Sequence, residues 1–250
     1  MNIRPNRVKQ KLADGGIAYI ISGLTDADGI DAFGANGFDG IWLEGEHGAA
    51  DASTLGNLTR ACDIWGMTSV VRVNKNDQGL IYRTLDCGAT GICVPHVDTK
   101  EEAQNVVDGG KFAPIGKRGM YTSRQGYGVE NFFDYANDQS LLIVLIEDIK
   151  AIRNLDEILT VDHIDVFFVA PTDLAQSMGH NADIAHPEVQ DTITDALSRI
   201  NAAGRFAGSI ARNEQVADYV ERGARLLLTS VAGWLAVGAK DFMNRAEAAL

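Results

Sequence analysis

Short apolar runs alternate with amphipathic stretches along almost the whole chain. Eight runs are of strand length: IAYIISG (17–23), FDGIWLE (38–44), SVVRVN (69–74), GICVPHV (91–97), LLIVLIE (141–147), DVFFVAP (165–171), FAGSIA (206–211) and RLLLTSV (225–231). Most are apolar on consecutive residues, the pattern of strands covered on both faces. Helical spacing appears between them at 52–65, 77–86, 100–109, 151–159, 187–203 and 213–223. Gly66, Gly88 and Gly223 stand where C-cap glycines belong, and Pro187 stands at a first helical turn. This is the pattern of βα units around a parallel sheet. Eight such units close most economically as one (β/α)8 barrel domain spanning 1–250. An open doubly wound sheet is the alternative, weakened because no GxGxxG follows the first strand. Segment 110–140 is too long for a turn and rich in Gly and aromatic residues; it predicts a functional loop with a short helix at 130–138.

Composition narrows the function classes. The formal net charge of -12 argues against nucleic-acid partners, which need a basic surface that releases counterions. Cys62, Cys87 and Cys93 cannot all pair and lack CxxC spacing, so reduced thiols are expected rather than a zinc site. The basic, amphipathic start, MNIRPNRVKQKLADGG, has no signal-peptide core, and IAYIISGL is far short of a membrane span. We expect an uncleaved cytoplasmic chain with no membrane partner. The last stretch, GWLAVGAKDFMNRAEAAL, reads as an amphipathic helix that packs on the barrel or on a partner subunit.

In a barrel of this kind catalytic residues gather at the C-terminal ends of several strands. This sequence places Glu44, Glu46 and His47 after the second strand, Arg72 and Lys75 after the third, and His96 after the fourth. Glu147 and Asp148 end the fifth, and Asp173 follows the sixth in APTD. Glu147 and Asp173 end neighbouring strands about 4.8 Å apart, so both carboxylates can reach one point. Two carboxylates without an intervening histidine suit a hard divalent cation such as magnesium or manganese. The plainer alternative makes both of them helix caps.

Arg72, aimed into a barrel mouth, would bind a carboxylate or stabilise an oxyanion; a salt bridge to Glu44 or Glu46 is compatible with that role. Glu44 and His47 form an acid/base candidate, because a carboxylate can hold an imidazole in one tautomer. Lys75 raises a Schiff-base rival, although its polar NKND setting favours a solvated side chain. His163, His180 and His186 fall in loop or helix-start contexts and read as solvated. The stretch GGKFAPIGKRG fits no GxxxxGK[ST] register.

FDGIWLEGEHGAADASTL, VVRVNKND, LDCGATGICVPHVDTKEEA, IGKRGM, IEDIKAIRNLDEIL and HIDVFFVAPTDLAQSMGH together resemble the blocks of the HpcH/HpaI family, in order, from about residue 17 to 245. These are metal-dependent, class II pyruvate aldolases, of which the 4-hydroxy-2-oxoheptanedioate aldolases are the type. The resemblance implies a barrel of the phosphoenolpyruvate/pyruvate superfamily, assembled as a hexamer (a trimer of dimers) with the last helix exchanged between paired subunits. It implies a divalent metal, Mg2+ or Mn2+ with Co2+ as a further option, on Glu147 and Asp173. A 2-oxo acid and an aldehyde are the implied small-molecule partners.

By the same resemblance Arg72 contacts the ketone oxygen, His47 is the acid/base residue and Glu44 its carboxylate partner. Amides around Thr172 and Asp173 hold the substrate carboxylate, Glu46 and Ile210 join the substrate-contacting positions, and Asp86 reaches a neighbouring subunit's site. Three departures stand out: Glu44 where the family has Asp, Leu145 where many members have Gln, and the loop Gly119–Gly128. The expected activity is reversible aldol cleavage of 4-hydroxy-2-oxo acids, with pyruvate or a substituted pyruvate such as hydroxypyruvate as donor. An acyl-CoA ester lyase of the citrate lyase or malyl-CoA lyase type and a non-catalytic 2-oxo-acid-binding protein are the alternatives.

Overall fold

The computed structural model describes residues 2–249, and its eight strands form a closed, all-parallel barrel in chain order, with β8 returning to pair with β1. They are β1 Ala18–Ser22, β2 Gly40–Glu44, β3 Thr68–Arg72, β4 Gly91–Val94, β5 Leu141–Ile146, β6 Val166–Val169, β7 Phe206–Ile210 and β8 Ala224–Ser230. Every strand expected from the apolar runs is present, and the barrel is the expected (β/α)8 type. Helices follow each strand: Ala27–Phe33, Leu55–Ile64, Gln78–Asp86, Lys100–Gly110, the pair Ile149–Arg153 and Leu155–Ile158, the pair Pro171–Ser177 and Pro187–Ala202, Val216–Glu221, and finally Val231–Glu247. The short helix expected in the long connection after β4 is Phe132–Gln139.

Apolar residues on consecutive strand positions are explained by two cores. One set of alternate residues, including Ile20, Trp42, Val70, Cys93, Ile143, Leu145, Phe168 and Leu228, fills the barrel interior. The opposite set, including Ile21, Leu43, Val71, Ile92, Val144, Ile146, Phe167 and Val169, packs under the surrounding helices. Fully burying each such side chain contributes roughly 1.5–3 kcal/mol, so both faces of the sheet contribute to stability.

Three α-helices have no counterpart among those expected from spacing, Pro171–Ser177 being one. Arg7–Ala13 closes the lower end of the barrel and joins the interior core through Val8 and Leu12. Ala27–Phe33 is short and carries one buried residue, Ile30, with Asp26 as its N-cap. The fourth strand stops at Val94 because Pro95 lacks an N–H and His96 turns into the left-handed region at φ 54°.

Candidate functional site

The period of two that fills the barrel also builds its mouth. Continuing each inward row by one step, Ile20 leads to Ser22, Trp42 to Glu44, Val70 to Arg72, Leu145 to Glu147 and Leu228 to Ser230. An apolar plug therefore ends in a polar rim. Ser22, Glu44, Arg72, Asp173, Thr172, Ile210 and Ser230 line a cavity of about 330 Å³ whose floor is Trp42, Leu145, Phe168 and Leu228. A larger cavity of about 650 Å³ opens on the other side of Arg72, among Asp51, Ser53, Asn74, Arg83 and Thr84. The converging titratable groups lie at the mouth, so we place the chemistry in the smaller cavity.

Glu44 is the most heavily bonded side chain there. Arg72 Nε donates to both its oxygens at 3.0 and 2.9 Å, and Arg72 Nη2 lies 2.7 Å from Oε2. Trp42 Nε1 donates to Oε2 at 3.1 Å, and the N–H groups of Glu46 and His47 donate to Oε1 at 2.8 and 3.1 Å. Burial pushes the Glu44 carboxyl upward, but the bonds from Arg72 and the two backbone amides outweigh it and hold the pKa below its ordinary value. In Arg72, burial acts downward and the Glu44 partnership prevails, so the guanidinium is held above its ordinary value.

From Arg72 the network continues around the rim. Its Nη1 lies 2.9 Å from Glu46 Oε2, and Glu46 Oε1 lies 3.7 Å from His96 Nε2. The His96 N–H donates to Glu147 Oε1 at 2.8 Å, and its Nδ1 lies 3.2 Å from the same oxygen. Glu147 is 3% exposed. Its carboxyl is pushed above the ordinary value first by burial and further by the charges of Asp173 and Glu46, with His96 acting the other way. Three carboxylates thus crowd one side of the mouth, and the nearest guanidinium is already committed to Glu44 and Glu46.

Asp173 is exposed in the first turn of Pro171–Ser177, whose N-cap is Ala170. The first turn's ladder begins with Leu174 N–H to Ala170 C=O at 3.2 Å, so the N–H groups of Thr172 and Asp173 precede it. Neither Glu147 nor Asp173 is an N-cap: Asp148 caps the helix after β5, and Ala170 holds that position after β6.

The remaining expected residues are placed less centrally. His47 is 73% exposed, and its ring is nearest to Glu46, Nε2 to Oε2 at 3.8 Å. Glu44 holds the main chain of His47 while its carboxylate faces Arg72, so the dyad expected from spacing is a backbone contact rather than a carboxylate–imidazole pair. Ile210 is exposed at the end of β7 on the cavity wall. Asp86 ends the helix Gln78–Asp86 outside the mouth and pairs with Arg118 at 2.7 Å. Lys75 is exposed, which removes the desolvation a Schiff-base lysine needs.

Two contributors carried no assigned role in the sequence. Trp42 reads as ordinary core, and its indole bond to Glu44 follows only from the inward period. His96 ends a strand, but its grip on Glu147 depends on a left-handed turn that no local motif marks.

A closed parallel barrel whose C-terminal mouth gathers carboxylates, an arginine and histidines defines an enzyme of the (β/α)8 class. The family model "HpcH/HpaI aldolase/citrate lyase" matches residues 20–241, and the chain belongs to that family. It is 33% identical over 237 residues to a hydroxypyruvate/pyruvate aldolase of Pseudomonas aeruginosa, covering 92% of this chain and 88% of that one. It is 37% identical over 188 residues to a 2-keto-3-deoxy-L-rhamnonate aldolase of Klebsiella pneumoniae, covering 73% and 70% of the two chains. Among solved structures, an HpcH/HpaI aldolase/citrate lyase family protein of Burkholderia cenocepacia superposes with a TM-score of 0.90 at 27% identity, covering 97% of this chain and 99% of that one. The chain is accordingly a carbon–carbon lyase of the aldolase group.

Proposed function

We propose that this chain is a divalent-metal-dependent aldolase that forms and cleaves 4-hydroxy-2-oxo acids, with pyruvate or a small substituted pyruvate such as hydroxypyruvate as donor. The observation that carries this reading is Glu147: a nearly fully buried carboxylate held beside Asp173 and Glu46, with no guanidinium or ammonium paired to it among the described residues. Such a group is costly to ionise unless a cation joins it, and an all-oxygen donor set suits magnesium or manganese, with cobalt as a further option. Glu147 and Asp173 would hold that ion, which when bound supplies Lewis-acid polarisation of the ketone oxygen.

The chain's own residues supply the rest. Of the five N–H donors on Arg72, its contacts with Glu44 and Glu46 engage three, leaving two for the oxygen of a 2-oxo acid that becomes negative as the enolate develops. Glu44 and Trp42 fix that guanidinium in place. The substrate carboxylate would meet the N–H groups of Thr172 and Asp173. His47, on a mobile-length side chain open to solvent, would move the proton at the aldehyde-derived hydroxyl, with Glu44 anchoring its loop through the main chain. Leu145, Phe168 and Ile210 keep that wall apolar and exclude water from the donor's methyl end.

A CoA-ester substrate finds little support, because the cations that would meet its phosphates are engaged. Lys111 is buried against the carbonyls of Asn137 and Ser140, while Lys117, Arg118 and Arg124 pair with Asp108, Asp86 and Asp63. We further propose a cytoplasmic, single-domain subunit of a homo-oligomer, a hexamer by the family pattern. Its last helix exposes Leu235, Val237, Phe242 and Met243, which a second copy would cover. No helix among the described residues is long and apolar enough to cross a membrane.

The function is tested by assaying aldol cleavage and addition with pyruvate and hydroxypyruvate against a panel of aldehydes, in chelator and after adding back magnesium or manganese. Activity restored only by the ion supports the reading; full activity in chelator ends it.

A further inference from the structure

A second group of metal-binding side chains lies beyond the far end of the helix Pro171–Ser177, whose last residue is about 6 Å along the axis from Asp173 by helical rise. His180 and His186 stack with ring centroids 3.7 Å apart and planes 21° from parallel. His180 Nε2 lies 3.1 Å from Glu188 Oε2, and His186 Nδ1 accepts the Glu188 N–H at 3.3 Å. Asn181 and Ala182 adopt left-handed backbone, φ 47° and 61°, which folds the intervening loop back so that the two rings meet. Both ends of this loop are tied: His180 N–H donates to the Ala175 carbonyl at 2.9 Å, and Gln190 Nε2 donates to the Ile184 carbonyl at 2.6 Å. Each of the three residues offers a donor atom within 4.8 Å of the others.

We propose that His180, His186 and Glu188 form a second cation site, separate from the barrel mouth, selective for a borderline divalent ion of the zinc, nickel or cobalt kind. Donor chemistry separates the two sites. The mouth offers carboxylate oxygens, which favour hard ions that keep their water; the loop offers two imidazole nitrogens and one oxygen, the set that prefers borderline ions. Two nitrogens each about 2.05 Å from a tetrahedral zinc stand about 3.3 Å apart with their lone pairs in the ring planes, so the stacked rings fan open about their side-chain torsions to share one ion. A cation on His180 Nε2 takes the place of the hydrogen bond to Glu188, and the neutral imidazole then carries its single proton on Nδ1. The positive end of the helix Pro187–Ala202 opposes a bare cation; the Glu188 carboxylate in its first turn supplies the offsetting charge. A filled site would staple the loop 178–186 between the helix that carries Asp173 and the long helix that follows.

The test needs no turnover. The full chain is dialysed against buffered micromolar zinc in excess magnesium and its zinc content measured, with cobalt substitution read by its visible absorption. His180→Ala with Glu188→Gln removes two donors; His186→Asn removes the third while keeping an N-capping side chain, and circular dichroism confirms that each variant is folded. Wild-type protein should retain one zinc per chain and give a tetrahedral cobalt spectrum. The double variant should retain none, and His186→Asn should bind at least about tenfold more weakly. Equal zinc in wild type and double variant, loss of zinc in Glu147→Gln but not in the double variant, or binding only at millimolar zinc would each overturn the proposal.

Discussion

The lower end and the mouth of the barrel both bury carboxylates, and they treat them differently. Below, Asp39 is 1% exposed and is met by Arg7 at 3.0 Å, Lys11 at 2.8 Å and the Tyr19 N–H at 2.8 Å. Asp165, ahead of β6, takes Lys9 at 2.6 Å and the Leu142 N–H at 2.8 Å. Every cation comes from the helix Arg7–Ala13, which closes that end. At the mouth Glu147 is as deeply buried but meets only His96, with Asp173 and Glu46 adding like charge. A carboxylate whose charge is matched inside the chain contributes to folding. One left unmatched lowers stability until something outside the chain arrives, and that difference marks the mouth as the working end.

The largest expected effect comes from Glu147→Gln. It should lower aldol activity by about a thousandfold, roughly 4 kcal/mol of transition-state stabilisation, while leaving the metal-free protein as stable as wild type or more so. The sign follows from the raised carboxyl of Glu147: its contribution to stability is fully present below the ordinary value of 4.5 and is lost as pH rises through the raised one. Urea unfolding of metal-free protein from roughly pH 4 to pH 8 should show that loss in wild type and a flatter profile in the variant. A variant that unfolds more easily at neutral pH would erase the contrast between the two ends.

His47→Ala should slow C–C bond cleavage by about a hundredfold while the affinity for manganese, read by electron paramagnetic resonance, stays unchanged. An unchanged rate would remove the histidine's assigned proton. Asp39→Ala tests the other end: about 2 kcal/mol of stability should go, less than a fully buried pair would cost because Arg7 and Lys11 reach water, while turnover per folded molecule is retained. Smallest of all, Trp42→Phe removes one bond to Glu44 and should cost about 1 kcal/mol in kcat/KM through a loosened Arg72, with KM for the metal unmoved.

Much of this was legible in the sequence because burial on both faces forces apolar residues onto consecutive positions, and most of the eight strands announce themselves that way. Glu44, Arg72 and Glu147 were legible too, since each stands two residues beyond a buried strand position and must share its inward direction. The lower closure was not: Arg7, Lys9 and Lys11 read as a basic start, and their partners lie 28 to 156 residues away. His96 and Glu147 are 51 residues apart, and only the left-handed turn after Pro95 brings them together. The Glu44 carboxylate turned from His47 toward Arg72 for the same reason: a guanidinium on the adjacent strand, at the same register, offers several charge-assisted bonds to a side chain long enough to reach it.

The central claim is that the unmatched carboxylates at the mouth hold a cation that lets the chain draw a proton from the carbon beside a ketone. Exchange of the pyruvate methyl hydrogens for deuterium, followed by nuclear magnetic resonance without any aldehyde, isolates that step. We expect exchange in wild type only when magnesium or manganese is restored after chelation, and none above background in Glu147→Gln. Exchange at full rate in chelator, or a borohydride-trapped adduct on Lys75, would contradict it.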